Sequence, residues 1–127
     1  MIEHIDLKNL NVLALAYMGD AIYEVYIRNY LISQKIAKVK DLQKNSVNYV
    51  SAKAQSKFLK EMINKDFLTN EEIIIVKRAR NHKSRVPKNT DIITYKLATG
   101  LEALIGYHYL NKNDKRVKEI MKEIIGD

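Results

Sequence analysis

Glycine and proline, the residues that most readily interrupt regular backbone, occur only four times and once in 127 residues. No stretch alternates strictly between apolar and polar side chains, so the chain lacks both the turn punctuation and the period-two pattern of a β protein. An all-α fold remains. Residues 11–32, NVLALAYMGDAIYEVYIRNYLI, place apolar or aromatic side chains around nearly the whole helical circumference, which predicts a central, buried helix. A second long apolar helix is expected over residues 90–111, starting at Thr90-Asp91 because Pro87 disfavours helix at Val86. Between them lie helices near 39–49 and 51–63, with Val47, Val50, Ala54, Phe58 and Met62 inward and the lysines outward. Thr69 and Glu72 form a capping box for a helix running through residues 73–76 toward Arg80. A final amphipathic helix sets Val117, Ile120, Met121, Ile124 and Ile125 on one side. Hydrophobic residues at 46% supply a core, and the length fits a single domain over residues 1–127.

The absence of cysteine excludes a disulfide framework, thiolate catalysis and Cys-ligated zinc. The opening MIEHIDLKNLN carries acids where a secretion signal carries cations, and no segment approaches the roughly 20 apolar residues of a membrane span. The expectation is a cytoplasmic protein without membrane attachment. The net charge of +7 is unevenly placed: residues 35–60 carry seven lysines against Asp41, and residues 77–88, KRARNHKSRVPK, carry six cations and no acid. Such concentration points to a polyanionic partner, most simply nucleic acid, although a lysine-rich face kept for solubility has the same composition.

Three glycines, Gly19, Gly100 and Gly106, fall inside the two apolar helices, where each costs about 1 kcal/mol relative to alanine and calls for a packing or functional return. Gly19 precedes Asp20, and Gly100 lies two residues before Glu102. A missing side chain there lets two helices, or a helix and a phosphate backbone, approach beside a carboxylate. Each acid is then either a structural ion-paired group or a ligand whose burial a metal or partner offsets. Glu24, one turn beyond Asp20, either joins them or pairs with Arg28. His4, His82 and His108 lack metal-like spacing. Tyr23, Tyr26, Tyr30, Tyr107 and Tyr109 read as core or interface, and the methionines as core filler.

LAYMGDAIYE at residues 15–24 resembles the signature helix of the ribonuclease III family, a Leu-Glu-Phe-Leu-Gly-Asp run followed by Ala-Val-Leu. LEALIGYHYLN at residues 101–111 resembles that family's second acidic motif. The intervening ARNHKSRVPKNTDIITYKLATG is similar to the mini-ribonuclease III subgroup, which has the nuclease domain without a double-stranded-RNA-binding domain.

The resemblance implies a ribonuclease III endonuclease-like helical domain, active as a homodimer, in which Asp20 and Glu102 are the catalytic and metal-holding acids and Mg2+ is the cofactor. Two other carboxylate positions of the family are occupied by Ala16 and Thr99. Tyr17 matches the signature aromatic that packs into the partner subunit. The implied substrate is double-stranded RNA, specifically precursor large-subunit (23S) ribosomal RNA, with a large-subunit ribosomal protein as helper. With no appended binding module, the basic blocks must grip the duplex: Arg78, Arg80, Lys83, Arg85 and Lys88 on phosphates, Asn81, His82 and Asn89 on sugar or phosphate, and Lys53 and Lys57 in support. A non-catalytic RNA-binding assembly factor or a helical DNA-binding regulator would carry similar basic blocks; the latter leaves the two glycine-flanked acids unexplained.

Overall fold

The computed structural model describes residues 6–7, 9–83 and 85–126. Six helices follow one another, α1 (Val12–Ser33), α2 (Val39–Val50), α3 (Ala52–Asn64), α4 (Asn70–Asn81), α5 (Ile92–Leu110) and α6 (Asp114–Ile125), and no strand occurs among the described residues. Their starts have local causes. The Asn11 side chain accepts from the Leu13 N–H at 2.7 Å, and Asp91 accepts from the Thr94 N–H at 3.0 Å. The capping box forms as expected: Thr69 Oγ1 accepts from the Glu72 N–H at 3.1 Å while the Glu72 carboxylate accepts from the Thr69 N–H at 2.8 Å. Ser51 ends α2 and caps α3 through the Ala54 N–H. Gly126 closes α6 with φ of +89°.

The longest helices, α1 and α5, cross at the centre, and α3 and α4 pack on α5. One apolar cluster gathers Tyr23, Ile27, Leu59, Leu101, Leu104 and Ile120; a second, smaller one gathers Val12, Leu15, Ile75 and Ala103. Leu15 belongs to one and Tyr23 to the other, and Gly19 lies between them on the same stripe of α1. The crossing depends on that gap. A Cβ on Gly19 would stand 1.7 Å from the Glu102 carbonyl oxygen, and one on Gly106 would stand 1.9 Å from the Leu15 carbonyl oxygen. Both are far inside van der Waals contact, so the two backbones touch where any side chain would part them. Gly100 departs from expectation: it faces α3 and α4, and its Cβ would meet Val76 and Leu59 side-chain atoms at 3.4 and 3.5 Å.

Two further readings need correction. Instead of being covered all round, α1 buries one stripe through Leu15, Gly19, Tyr23, Ile27 and Leu31 and leaves Tyr17, Val25 and Ile32 exposed, because neighbours pack on only part of its circumference. Met62 is buried and Val50 and Phe58 pack half-buried against the core as expected, but Val47 on α2 is exposed, and α3 also buries Gln55, Ser56 and Leu59. The break at Ser51 shifts the phase between the two helices, so the buried stripe of α3 also takes in Gln55 and Leu59. The lysines of α2 and α3 do face outward, and Val117, Ile120, Met121 and Ile124 are buried, with Ile125 half-buried. Met62 and Met121 are core residues.

A buried polar cluster joins α4, α5 and α6. Glu72, 2% exposed, accepts from Arg116 at 2.8 Å through both carboxylate oxygens and lies 2.6 Å from His108 Nε2. Arg116 also donates to the Phe67 carbonyl at 2.8 Å and lies over the Phe67 ring. Burial pushes the Glu72 carboxyl up, but hydrogen bonds from Arg116, His108 and the Thr69 backbone outweigh it and hold the group well below the usual carboxylate range. His108 is thus a structural residue of this cluster. His4 lies outside the described residues.

Candidate active site

The backbone contact at Gly19 and Gly106 sets the position of two acids. Asp20 follows Gly19 on the exposed side of α1, and Glu102 lies one helical turn before Gly106 on α5, half-buried. Their carboxyl groups come within hydrogen-bonding reach of one another. Burial, and then the adjacent Asp20, push the Glu102 carboxyl up to about 8, against a smaller opposing effect of a hydrogen bond from Gln55. Tyr23 forms a neighbouring wall and donates its hydroxyl to the Tyr49 carbonyl at 2.5 Å. Burial first, then Glu102 and Tyr49, raise that phenol above its ordinary range, so it stays neutral.

Two like charges in a partly dry notch attract a proton or a cation. Among the described residues no group of three His, Cys, Asp or Glu side chains is arranged to hold a metal. The donor set is instead two carboxylates beside a buried amide. Such oxygen donors suit a hard cation like magnesium, which keeps several waters and is commonly held by one or two carboxylates together with substrate phosphates. Ala16 and Thr99 are both buried, and the Thr99 hydroxyl donates to the Tyr95 carbonyl of its own helix at 2.9 Å, so neither adds a charge. Glu24 pairs with Arg28 at 2.9 Å, the structural alternative of the two considered.

The basic block of residues 77–88 runs off the end of α4 into a helix-free segment that ends at α5. Arg80, Asn81, Lys83, Arg85, Lys88 and Asn89 are exposed there, and Asn89 adopts φ of +71°. Arg78 is placed differently: half-buried, it donates to the Leu10 carbonyl at 2.9 Å and ties the end of α4 to the approach to α1. His82 is half-buried. Lys53 and Lys57 are exposed on α3. Tyr17 is 83% exposed, one turn before Asp20 on the same open face of α1.

Comparison with known proteins is consistent with this arrangement. The Ribonuclease III domain profile matches residues 13–113, a span that includes both acids. The chain belongs to the ribonuclease III family. A protein of Enterococcus faecalis named Mini-ribonuclease 3 is 48% identical over 117 residues, covering 91% of this chain and 89% of its own length. One of the same name from Staphylococcus aureus is 42% identical over 120 residues, covering 94% and 90%. The crystal structure of a Fusobacterium nucleatum protein superposes with a TM-score of 0.84 at 38% identity, covering 97% of this chain and 98% of that one. The all-helical ribonuclease III fold is therefore the expected one, and no helix among the described residues is long and apolar enough to cross a membrane.

One residue of this candidate site escaped the sequence reading. Gln55 is 2% exposed on α3 and reaches Glu102. The signal was present: Gln55, Leu59 and Met62 recur at spacings of four and three, which makes Gln55 a polar residue on an apolar stripe.

Proposed function

We propose that this chain is a divalent-metal-dependent endoribonuclease that cleaves double-stranded RNA, with residues 1–127 acting as one catalytic domain. The observation that carries the reading is the juxtaposition of Asp20 and Glu102 at a backbone-to-backbone helix crossing, in a chain of the ribonuclease III family. Asp20 and Glu102 would hold magnesium, directly or through water. When bound, the ion supplies an acidified water and charge stabilisation at the phosphodiester. The protein's own contribution is to keep both acids in place and to hold the duplex so that phosphate oxygens complete the ion's shell.

The exposed Arg80, Lys83, Arg85 and Lys88 bind phosphates; Arg78, half-committed to Leu10, contributes its remaining N–H groups. Asn81, His82 and Asn89 hydrogen-bond sugar or phosphate, with Lys53 and Lys57 at the margin. The products carry 5′-phosphate and 3′-hydroxyl ends. One site cuts one strand, so cutting both requires a homodimer, with exposed Tyr17 at its interface. Among cellular duplexes the substrate is precursor 23S ribosomal RNA, processed in the cytoplasm at a stem presented by a large-subunit ribosomal protein.

Incubation with labelled duplex RNA and duplex DNA, with and without magnesium, tests the reading. Magnesium-dependent cleavage of RNA alone is expected, and Asp20→Asn or Glu102→Gln abolishes it while leaving RNA binding near the wild-type level. Binding without cleavage by the wild type would instead identify a non-catalytic assembly factor. Full activity in both variants would remove these acids from the chemistry.

A further inference from the structure

Gln55 occupies the least economical place for an amide. It lies on the inward stripe of α3 with Leu59 and Met62, where a leucine would pack without any polar group to satisfy. A buried carboxamide must find partners for its N–H and C=O groups or lose the hydrogen bonds that water gave it. α3 packs on α5, and the Glu102 carboxyl is the group within hydrogen-bonding reach of the buried amide. α3 also rides close on α5 at this level, since Leu59 Cδ2 stands 3.5 Å from where a Gly100 Cβ would be. Glu102 therefore lies between Asp20 on the open side and the Gln55 amide on the dry side. A carboxylate on a helix otherwise turns freely about its side-chain bonds; a donor fixed in the core removes that freedom.

We infer that Gln55 is a positioning residue of the carboxylate site, its core-held amide fixing Glu102 in the orientation that faces Asp20 and a shared cation. The inference rests on the proposed metal-dependent nuclease reading, and it assigns Gln55 no contact with RNA. Residues that orient metal-holding side chains typically change metal affinity or activity by about 10–100-fold when replaced. The sign of the effect depends on the replacement. Gln55→Leu keeps the volume and removes the donor, so Glu102 is released. Gln55→Glu keeps the shape and exchanges the donor for a third negative charge beside the pair.

Two measurements test this. The first is thermal unfolding of wild type, Gln55→Leu and Gln55→Glu titrated with Mn2+ or Mg2+ from a chelated start, which reads ion affinity without RNA. The expected midpoint moves about tenfold to higher ion concentration in Gln55→Leu. In Gln55→Glu it moves to lower concentration, while the ion-free melting temperature falls. The second is duplex-RNA cleavage at saturating ion. In Gln55→Leu, kcat falls about 10–100-fold at unchanged KM. A packing role alone predicts lower melting temperatures with unchanged ion midpoints and kcat, and that result overturns the inference. Should wild type fail to cleave duplex RNA, the nuclease reading fails, while the ion midpoints still decide whether Gln55 governs the site. If Gln55→Leu does not fold, Gln55→Asn replaces it: the shorter side chain keeps an amide but draws it back from Glu102, the ion midpoint is expected to move to higher concentration, and an unchanged midpoint overturns the inference.

Discussion

Removing the charge of Glu102 should stabilise the ion-free protein, and the gain should grow with pH. The Glu102 carboxyl, raised by burial and by Asp20, titrates at about 8 in the folded state against an ordinary value of 4.5. Above pH 4.5 the unfolded chain releases this proton while the folded chain keeps it. Folding then takes up a proton, so stability falls as pH rises and levels off above 8. At about 1.4 kcal/mol per pH unit the difference sets a ceiling of about 5 kcal/mol. Exposed Asp20 can swing toward water, so roughly half of that, about 2–3 kcal/mol, is the expected effect. Glu102→Gln is isosteric with the protonated acid and does not titrate. Urea unfolding in chelator should therefore find wild type and variant nearly equal at pH 5, with the variant about 2–3 kcal/mol more stable at pH 8.5. Magnesium at millimolar concentration should narrow that gap by stabilising wild type alone. A difference independent of pH, or a wild type more stable than the variant at pH 8.5 in chelator, would refute the electrostatic reasoning.

The crossing predicts contrasting glycine variants: Gly19→Ala, with its Cβ 1.7 Å from a carbonyl oxygen, should cost about 3 kcal/mol or more in urea unfolding, whereas Gly100→Ala should stay within about 1 kcal/mol of wild type. Glu72→Gln leaves half-buried Arg116 beside a neutral partner and should lose about 3 kcal/mol at pH 7. Because hydrogen bonding overcomes burial and keeps the folded Glu72 carboxyl far below its unfolded value, that loss should be constant from pH 5 to 8 and shrink only in stronger acid. The double variant Arg80→Ala/Arg85→Ala should weaken duplex RNA binding and reduce the slope of log affinity against log salt by about two; an unchanged slope would place the phosphate contacts elsewhere.

Much of this fold was legible in the sequence because its signals are local. The Thr69 and Glu72 box, the Asp91 start and the outward lysines each depend on neighbours within one helical turn. Gly19 also marked the helix crossing, since a costly glycine in an apolar helix needs a packing reason. The misreadings were of tertiary origin. Gly100 looked equivalent to Gly19, but the side of α5 that meets α1 is decided by the whole bundle, and Gly106 takes that place. Val47 on α2 turns outward because the break at Ser51 is a single capping residue within an unbroken amphipathic pattern. Arg78 read as one more exposed cation because its partner, the Leu10 carbonyl, lies 68 residues away in the chain. The Glu72, His108 and Arg116 cluster spans three helices, and no spacing in the sequence announces it.

The contact between Gly19 and Gly106 also bears on how this protein can change. With main chain against main chain, the spacing of the two helices that carry Asp20 and Glu102 is a dimension of the backbone. No side chain intervenes there to be enlarged, trimmed or given another rotamer. Core substitutions in either apolar cluster can shift stability while carrying both acids along together, whereas the cationic segment after α4 carries no such constraint. On the proposed reading, the acid pair and the basic segment are therefore separately adjustable. If that reading holds, variants of the segment at residues 82–91 should alter RNA preference while leaving the spacing of the two acids unchanged.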